Sequence, residues 1–390
     1  MGLADRIELY RQIEKLRGHP LISYVTSSRM NAQGVMAPDT FPEISDQILL
    51  LPSDCDKVDL LLVSHGGDPA VAWRIMSLLR DRVSEVSVLI PQAAYSAATL
   101  LALGADEIIM HACGNLGPVD PQITVQRPRP GGQGNELIHF GSEDLAGFLN
   151  FIKETVGLSD QEHVKSAFQL FCQEAGAIPI AISTRAAQLS VSMGEKLLRM
   201  HMKDDTGGQK ARAIAETLNK KFFHHGYPVG RKEAKEIGLK VVEPEPALEG
   251  LMWTTWRSLE LEMKCREPFN YMSEIERNPA LADQLFAAIP QAIIPHGLPP
   301  ALMQQAMQAI LQQISTIRLP GIDYEKIQAL MESPRAASAY VTRGKLFARR
   351  EHDLKISIND IVLFSGWRET QLPPIAITSN GPTASSTGRD

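Results

Sequence analysis

Over its first third the chain alternates between short β-rich apolar runs and segments whose apolar residues recur at helical spacing. The runs LISYVTS (21–27), VDLLLVS (58–64), VSVLIP (86–91) and DEIIMHA (106–112) read as strands. Between them, 43–50, 69–82 and 96–104 read as helices, so the pattern is β-α-β-α and predicts an α/β fold with a mostly parallel sheet. Such sheets hold their sites at the carboxyl ends of the strands. From 142 to 224 the pattern turns helical, interrupted by Gly157, Gly176, Pro179 and the Gly207 and Gly208 pair, and this part is expected to cover the sheet. A composition shift after VVEPEPALEG sets a boundary near residue 250, and the Met- and Gln-rich region over 251–372 is expected to be mainly helical. Within it, 299–316 carries an apolar face of Leu302, Met303, Ala306, Met307, Ile310, Leu311 and Ile314. A stripe of this kind needs a partner surface, which predicts a homo-oligomer. Residues 373–390 lack periodicity and read as a disordered tail.

Composition narrows the classes. A chain of 390 residues with 44% apolar content is long enough for a sizeable core. A net charge of -6 and a pI near 6.0 leave no electrostatic footprint for nucleic acid, and no basic amphipathic stretch points to a membrane surface. Cys55, Cys113, Cys172 and Cys265 are scattered and form no C-x-x-C pair, which fits reduced thiols and a cytoplasmic address. The segment MGLADRIELYRQIEKLRG reads as a charged amphipathic helix without an apolar signal core. No cluster of His, Asp or Glu has metal-ligand spacing, and neither a P-loop nor G-x-G-x-x-G occurs, so no metal and no nucleotide cofactor is expected.

Two strand-to-helix junctions carry the chemistry. In LLLVSHGGDPAVAWRIM the strand ends at Ser64, Gly66 and Gly67 permit a tight turn, Asp68 is a good N-cap, and Pro69 suits the first helical position. One βαβ step later, PQAAYSAATLLAL places Ser96 at the next junction among Ala93, Ala94, Ala97 and Ala98. Adjacent parallel strands lie about 5 Å apart, so the Gly67 and Ala97 amides can converge on one oxygen beside the Ser96 hydroxyl. Small neighbours leave room for a carbonyl. Taken singly, a glycine pair is an ordinary turn and a serine here is an ordinary helix cap.

The motifs SHGGDP, AAYSAATLLALGADEIIM and NLGPVDPQ, then GYPVGRKEAKEIGLKVV, occur in that order, each at its own place in the βα pattern. Together they resemble the serine dehydrogenase proteinase family, a cytosolic branch of the Clp/crotonase-fold serine peptidases related to signal peptide peptidase A. The resemblance implies a Clp/crotonase-like peptidase domain over 1–250, Ser96 as nucleophile, and an oxyanion hole from the Gly67 and Ala97 amides. It also implies a peptide or protein substrate and assembly into rings or trimers.

The base stays open between two residues. Where the Clp-type peptidase has its histidine this chain has NLGPVDPQI, and where that enzyme has its triad carboxylate it has FFHHGYPVG, with His224 and His225. Signal peptide peptidase A types use a lysine farther along, and Lys153 lies 57 positions beyond Ser96. Lys153 borders a helical stripe of Leu145, Leu149, Ile152 and Val156, where burial would lower its pKa and a surface position would let it snorkel. His225 titrates near neutrality without help. His111 at a strand end ranks behind both, His65 fits a turn position or a substrate contact, and Asp120 reads as part of a Pro-bracketed turn able to steady a histidine. Three functions compete: a serine peptidase working through an acyl-enzyme on Ser96, an acyl-CoA enzyme of crotonase type, and a catalytically silent scaffold.

Overall fold

A computed structural model describes residues 2–373, apart from 130, 131, 133, 223, 288–298, 314, 315 and 352. The chain opens with α1 (Leu3–Arg17), β1 (Leu21–Thr26), α2 (Thr40–Leu49), β2 (Lys57–Val63), α3 (Pro69–Arg82) and β3 (Glu85–Ile90). It continues through β4 (Ala93–Ala94), α4 (Ala97–Leu103), β5 (Glu107–Met110) and β6 (Asn115–Leu116). A hairpin of β7 (Ile123–Pro128) and β8 (Asn135–Phe140) follows, which the sequence pattern did not reveal. Next come α5 (Ser142–Asn150), a π-helical turn over Phe151–Thr155, α6 (Gln161–Ala175), α7 (Ala177–Arg199), α8 (Gln209–Lys220), α9 (Arg231–Ile237) and β9 (Val241–Val242). The remainder holds α10 (Pro246–Glu262), α11 (Tyr271–Glu276), α12 (Pro279–Leu285), α13 (Pro300–Gln313), β10 (Ile317–Arg318), β11 (Ile322–Glu332), β12 (Ala337–Arg350) and β13 (Ile356–Glu369).

Among the described residues the main sheet runs β10-β12-β11-β1-β2-β3-β5-β9, with β13 paired to β12. From β1 through β9 the pairing is parallel, and β11 joins β1 antiparallel. The α/β fold with a largely parallel sheet is as expected.

The apolar runs of β1, β2, β3 and β5 are continuous because each strand is covered on both faces. Alternation sorts them: Ile22, Tyr24, Leu60, Leu62, Val88, Ile90 and Ile108 pack toward α2, α3, α4, α7 and α8. Leu21, Val25, Leu61, Val63, Leu89 and Ile109 pack on the opposite side with Ile7, Tyr10 and Ile13 of α1 and Met252, Trp256 and Leu259 of α10.

The mainly helical C-terminal region needs correction. Helices occupy its first part, but from Ile317 to Glu369 the described chain is strand, and β11 hydrogen-bonds directly to β1. The segment KIQALME inside β11 is rich in helix formers, and pairing with the buried edge of β1 overrides that local preference. The join is also ionic. Arg6 of α1 donates to both Glu332 carboxylate oxygens at 2.8 and 2.7 Å, and the Tyr10 hydroxyl donates to the same carboxylate at 2.7 Å. Arg6 and Glu332 are each 2% exposed.

On α13, Leu302, Met303 and Met307 of the expected apolar face are exposed, while Ile314 lies outside the described residues. The expected tail lies outside them from residue 374 on.

Candidate active site

Ser96 sits between β4 and α4 with φ 53° and ψ -119°, a conformation that a residue with a Cβ adopts only under strain, costing of order 1–3 kcal/mol. Its side chain makes no capping hydrogen bond, and among the described residues its hydroxyl has no partner. The capping explanation therefore does not account for this serine. Helix α4 behind it is buried along its whole length. Thr99 on that helix anchors the bend, with its hydroxyl 2.6 Å from the Ala94 carbonyl and accepting from the Gly117 N–H at 3.0 Å.

A short second ladder assembles the surroundings. Met36 bridges Gly67, Ser64 bridges Ala94, β4 pairs with β6, and Leu116 of β6 bridges Val229. Each rung lies a few residues from a group of interest: Ser64 before the glycine turn, Ala94 before Ser96, Leu116 before Asp120, and Val229 after His225. Segments far apart in the chain thus meet at the carboxyl end of the sheet.

The glycine turn presses against the serine bend. A Cβ built on Gly66 would meet the Tyr95 carbonyl oxygen at 2.7 Å, the Ser96 Cβ at 2.8 Å and the Ala97 nitrogen at 2.9 Å. Gly67 has φ +151°, and a Cβ there would lie 2.3 Å from the Met36 carbonyl oxygen. Both positions require glycine. The Gly67 and Ala97 N–H groups have no hydrogen-bond partner among the described residues, which leaves two donors flanking the serine. Ser64 holds the turn by accepting from the Gly66 N–H at 3.1 Å.

Ser96, Gly67, Ala97 and His225 line one cavity of about 490 Å³, with Leu100, Val119 and Pro121 as apolar walls. His225 Nδ1 lies 2.9 Å from Asp120 Oδ1, and Gln122 donates to Asp120 Oδ2 at 2.6 Å. An ionised carboxylate only accepts, so the ring donates from Nδ1 and a neutral ring keeps Nε2 free as an acceptor. The same hydrogen bond raises the His225 pKa above its ordinary value, with burial opposing it. Asp120 is held in turn through its neighbour, since the Val119 carbonyl accepts from Ser190 at 2.5 Å and from Asn219 at 3.3 Å.

The structure brings Ser96, Gly67, Ala97 and His225 together, and adds Asp120 as the partner of His225. Lys153 is elsewhere: it is exposed on the π-helical turn and does not line this cavity. Only Ile152 of that turn is buried, so the neighbouring lysine points its chain outside the packed stripe. His65 lines the cavity and stacks on Tyr95 at 5.5 Å, and burial lowers its pKa. His111 instead stacks on Trp253 at 5.0 Å and accepts from the Cys113 N–H at 2.9 Å. Ser190, Asn219 and Thr99 gave no sequence signal, because nothing local distinguishes them from other polar helix residues. Asp120 did carry one, the Pro-bracketed NLGPVDPQ motif, and only its pairing was hidden.

Residues 3–131 match the family described as ClpP-like SDH-type serine proteinase. That match bears out the family resemblance read from the motifs and supports a serine peptidase in general terms. The chain is also 27% identical over 246 residues to the uncharacterized protein MJ1495 of Methanocaldococcus jannaschii, covering 61% of this chain and 72% of that protein. It is 26% identical over 243 residues to MJ0137 of the same organism, covering 60% and 73%. Similar solved structures include a mutant of the 1510-N membrane-bound stomatin-specific protease, at 14% identity, TM-score 0.33, and 58% and 81% coverage of the two chains. Another is a mutant ClpP1 from Listeria monocytogenes, at 13% identity, TM-score 0.29, and 61% and 99% coverage. Among the described residues no helix is long and apolar enough to cross a membrane.

Proposed function

We propose that the protein is a serine peptidase in which Ser96, His225 and Asp120 act as a triad. Ser96 Oγ attacks the scissile peptide carbonyl while His225 Nε2 takes its proton, and the tetrahedral oxyanion is stabilised by the Gly67 and Ala97 N–H groups. His225 then returns the proton to the leaving amine as the C–N bond breaks, leaving an acyl-enzyme ester on Ser96. Water, deprotonated by the same histidine, hydrolyses the ester and restores the hydroxyl. Asp120 keeps the ring in the tautomer that presents Nε2 and stabilises the imidazolium.

The observation that carries this reading is that His225, on the wall of the cavity that holds a strained, uncapped Ser96, is paired with Asp120 at 2.9 Å. Relative to the Clp arrangement the acid and the histidine exchange segments, which answers why NLGPVDPQ lacks a histidine and FFHHGYPVG lacks an aspartate. A crotonase-type acyl-CoA enzyme needs the two amides but has no use for a serine beside a histidine–carboxylate pair. A silent scaffold needs neither. Homo-oligomerisation through exposed apolar faces and a cytoplasmic location complete the proposal, with peptide or protein as substrate.

The test is labelling by a fluorophosphonate probe. Covalent modification should map to Ser96 and disappear in Ser96→Ala and His225→Ala, while Lys153→Ala labels at the parent rate. Labelling that survives His225→Ala and vanishes in Lys153→Ala transfers the base to the lysine.

A further inference from the structure

Gln328 in β11 hydrogen-bonds the active-site wall. Gln328 occupies an irregularity in β11, where the register with β12 shifts between Ile327 and Ala329. Its carbonyl accepts from the Ser27 N–H at 2.7 Å, its side-chain amide donates to the Gln33 carbonyl at 2.9 Å, and its Oε1 accepts from the Thr342 hydroxyl at 2.6 Å. A bulge re-aims the side chain it carries. Here it is aimed across the sheet edge at the segment between β1 and α2.

That segment is tightly seated. The Gly34 N–H donates to the Ser27 carbonyl at 2.8 Å, and a Cβ on Gly34 would lie 1.8 Å from the Gln328 carbonyl oxygen. Gln33, Gly34 and Val35 line the Ser96 cavity. The next residue, Met36, donates to the Gly66 carbonyl at 2.9 Å and accepts from the Asp68 N–H at 2.9 Å, so it grips the glycine turn on both sides of Gly67. Hydrogen bonds from Thr342 through Gln328 to Gln33, the covalent backbone from Gln33 to Met36, and the Met36 bonds to Gly66 and Asp68 therefore connect the C-terminal strands to the turn that presents the Gly67 donor.

We infer that Gln328 is a positioning residue: it holds the 33–36 segment so that Gly67 faces the oxyanion, and the appended C-terminal sheet thereby sets the competence of the active site. The inference rests on the proposal that Ser96 is the nucleophile. A donor displaced from the developing charge loses most of its effect, since misplacement by 1 Å costs up to about a hundredfold in rate. A wall held by one side chain and one carbonyl loses part of that precision when the side chain is removed.

The experiment compares the parent with Gln328→Met, which keeps length and apolar packing but removes both polar atoms, by amide hydrogen exchange and by fluorophosphonate labelling. Exchange should quicken severalfold at residues 33–36 and 66–68 and stay unchanged in β2 and β3, while the labelling rate falls roughly tenfold. With a peptide substrate, kcat should fall more than KM rises, which a merely structural role would not produce. Thr342→Val, which removes the hydroxyl that bonds both Gln328 Oε1 and Ser365 Oγ and leaves the Gln328–Gln33 bond in place, should move both readouts in the same direction by less, and serves if Gln328→Met folds poorly. Unchanged exchange at 33–36 and 66–68 overturns the inference whatever the labelling does. Failure of the parent itself to label at Ser96 overturns the peptidase proposal instead, and the exchange result still decides whether Gln328 holds the turn.

Discussion

The parallel core and the helical arm over 142–182 obey different rules. In the core, β1 is buried throughout, β2 and β3 after their first residue, and α4 along its whole length. In the arm, α5 has no buried residue, α6 has Ala167 alone, and Phe168, Leu170, Ile178 and Ile182 are exposed. The strained Ser96 sits in the first region and Lys153 in the second. Strain persists only where surrounding contacts over-determine it, and the core supplies those contacts while the arm does not. The proposed base must be held as firmly as the proposed nucleophile, and Asp120 and His225 are fastened to the core through Val119, Leu116 and Val229.

The sharpest break between the two regions is expected from Ser96→Ala, which should lower peptide hydrolysis by several orders of magnitude at unchanged melting temperature. No cap is lost, and alanine bears the same backbone strain. A destabilised but active variant would refute the nucleophile assignment.

Asp120→Asn comes next. It should cut turnover by two or more orders of magnitude, because the ring loses the carboxylate that orients it. Its pH profile carries the sign. The carboxylate raises the His225 pKa above the ordinary value of about 6.5, and a general base must be neutral, so the parent's activity should rise with pH through that raised pKa. In Asp120→Asn the acidic limb should move to lower pH. The matching stability contribution is fully present below the unfolded pKa and lost as pH rises through the folded one. A limb that stays in place in kcat/KM profiles would separate His225 from the proton transfer.

Glu332→Ala probes the core from its antiparallel side. Removing Glu332 leaves the buried Arg6 guanidinium with only the partly exposed Glu262 at 3.4 Å and takes the carboxylate from the Tyr10 hydroxyl, which should cost about 3 kcal/mol in denaturant unfolding. A loss under about 1 kcal/mol would mean that the C-terminal sheet adds little to the core.

The smallest effects belong to the arm. Leu170→Ser, at a residue 62% exposed, should change unfolding free energy by no more than about 0.5 kcal/mol while lowering the mass seen in light scattering. Lys153→Ala should leave turnover within about twofold of the parent. Unchanged mass would remove the arm from the assembly, and lost turnover would return Lys153 to the site.

The β-α-β-α order, the strand positions and the two junctions were legible in the chain because burial on both faces writes continuous apolar runs, and because tight turns demand glycine, Asp68 at the cap and Pro69 after it. Predicted helix 69–82 and α3 coincide, as α3 spans Pro69–Arg82. The β strands after Ile317 were not legible, since β11 is spelled with helix formers and becomes a strand only by adding to β1. Neither was the hairpin of β7 and β8.

Local sequence determined which residues are able to react: a hydroxyl at a bend, amides at a glycine turn, imidazoles in FFHHGYPVG. Tertiary structure alone decided which of them meet. Asp120 and His225 are 105 residues apart, and their contact depends on a ladder from β4 through β6 to Val229 that no local pattern encodes. A side chain's chemistry travels with its residue, whereas the distance between two side chains is fixed only when the intervening strands pair.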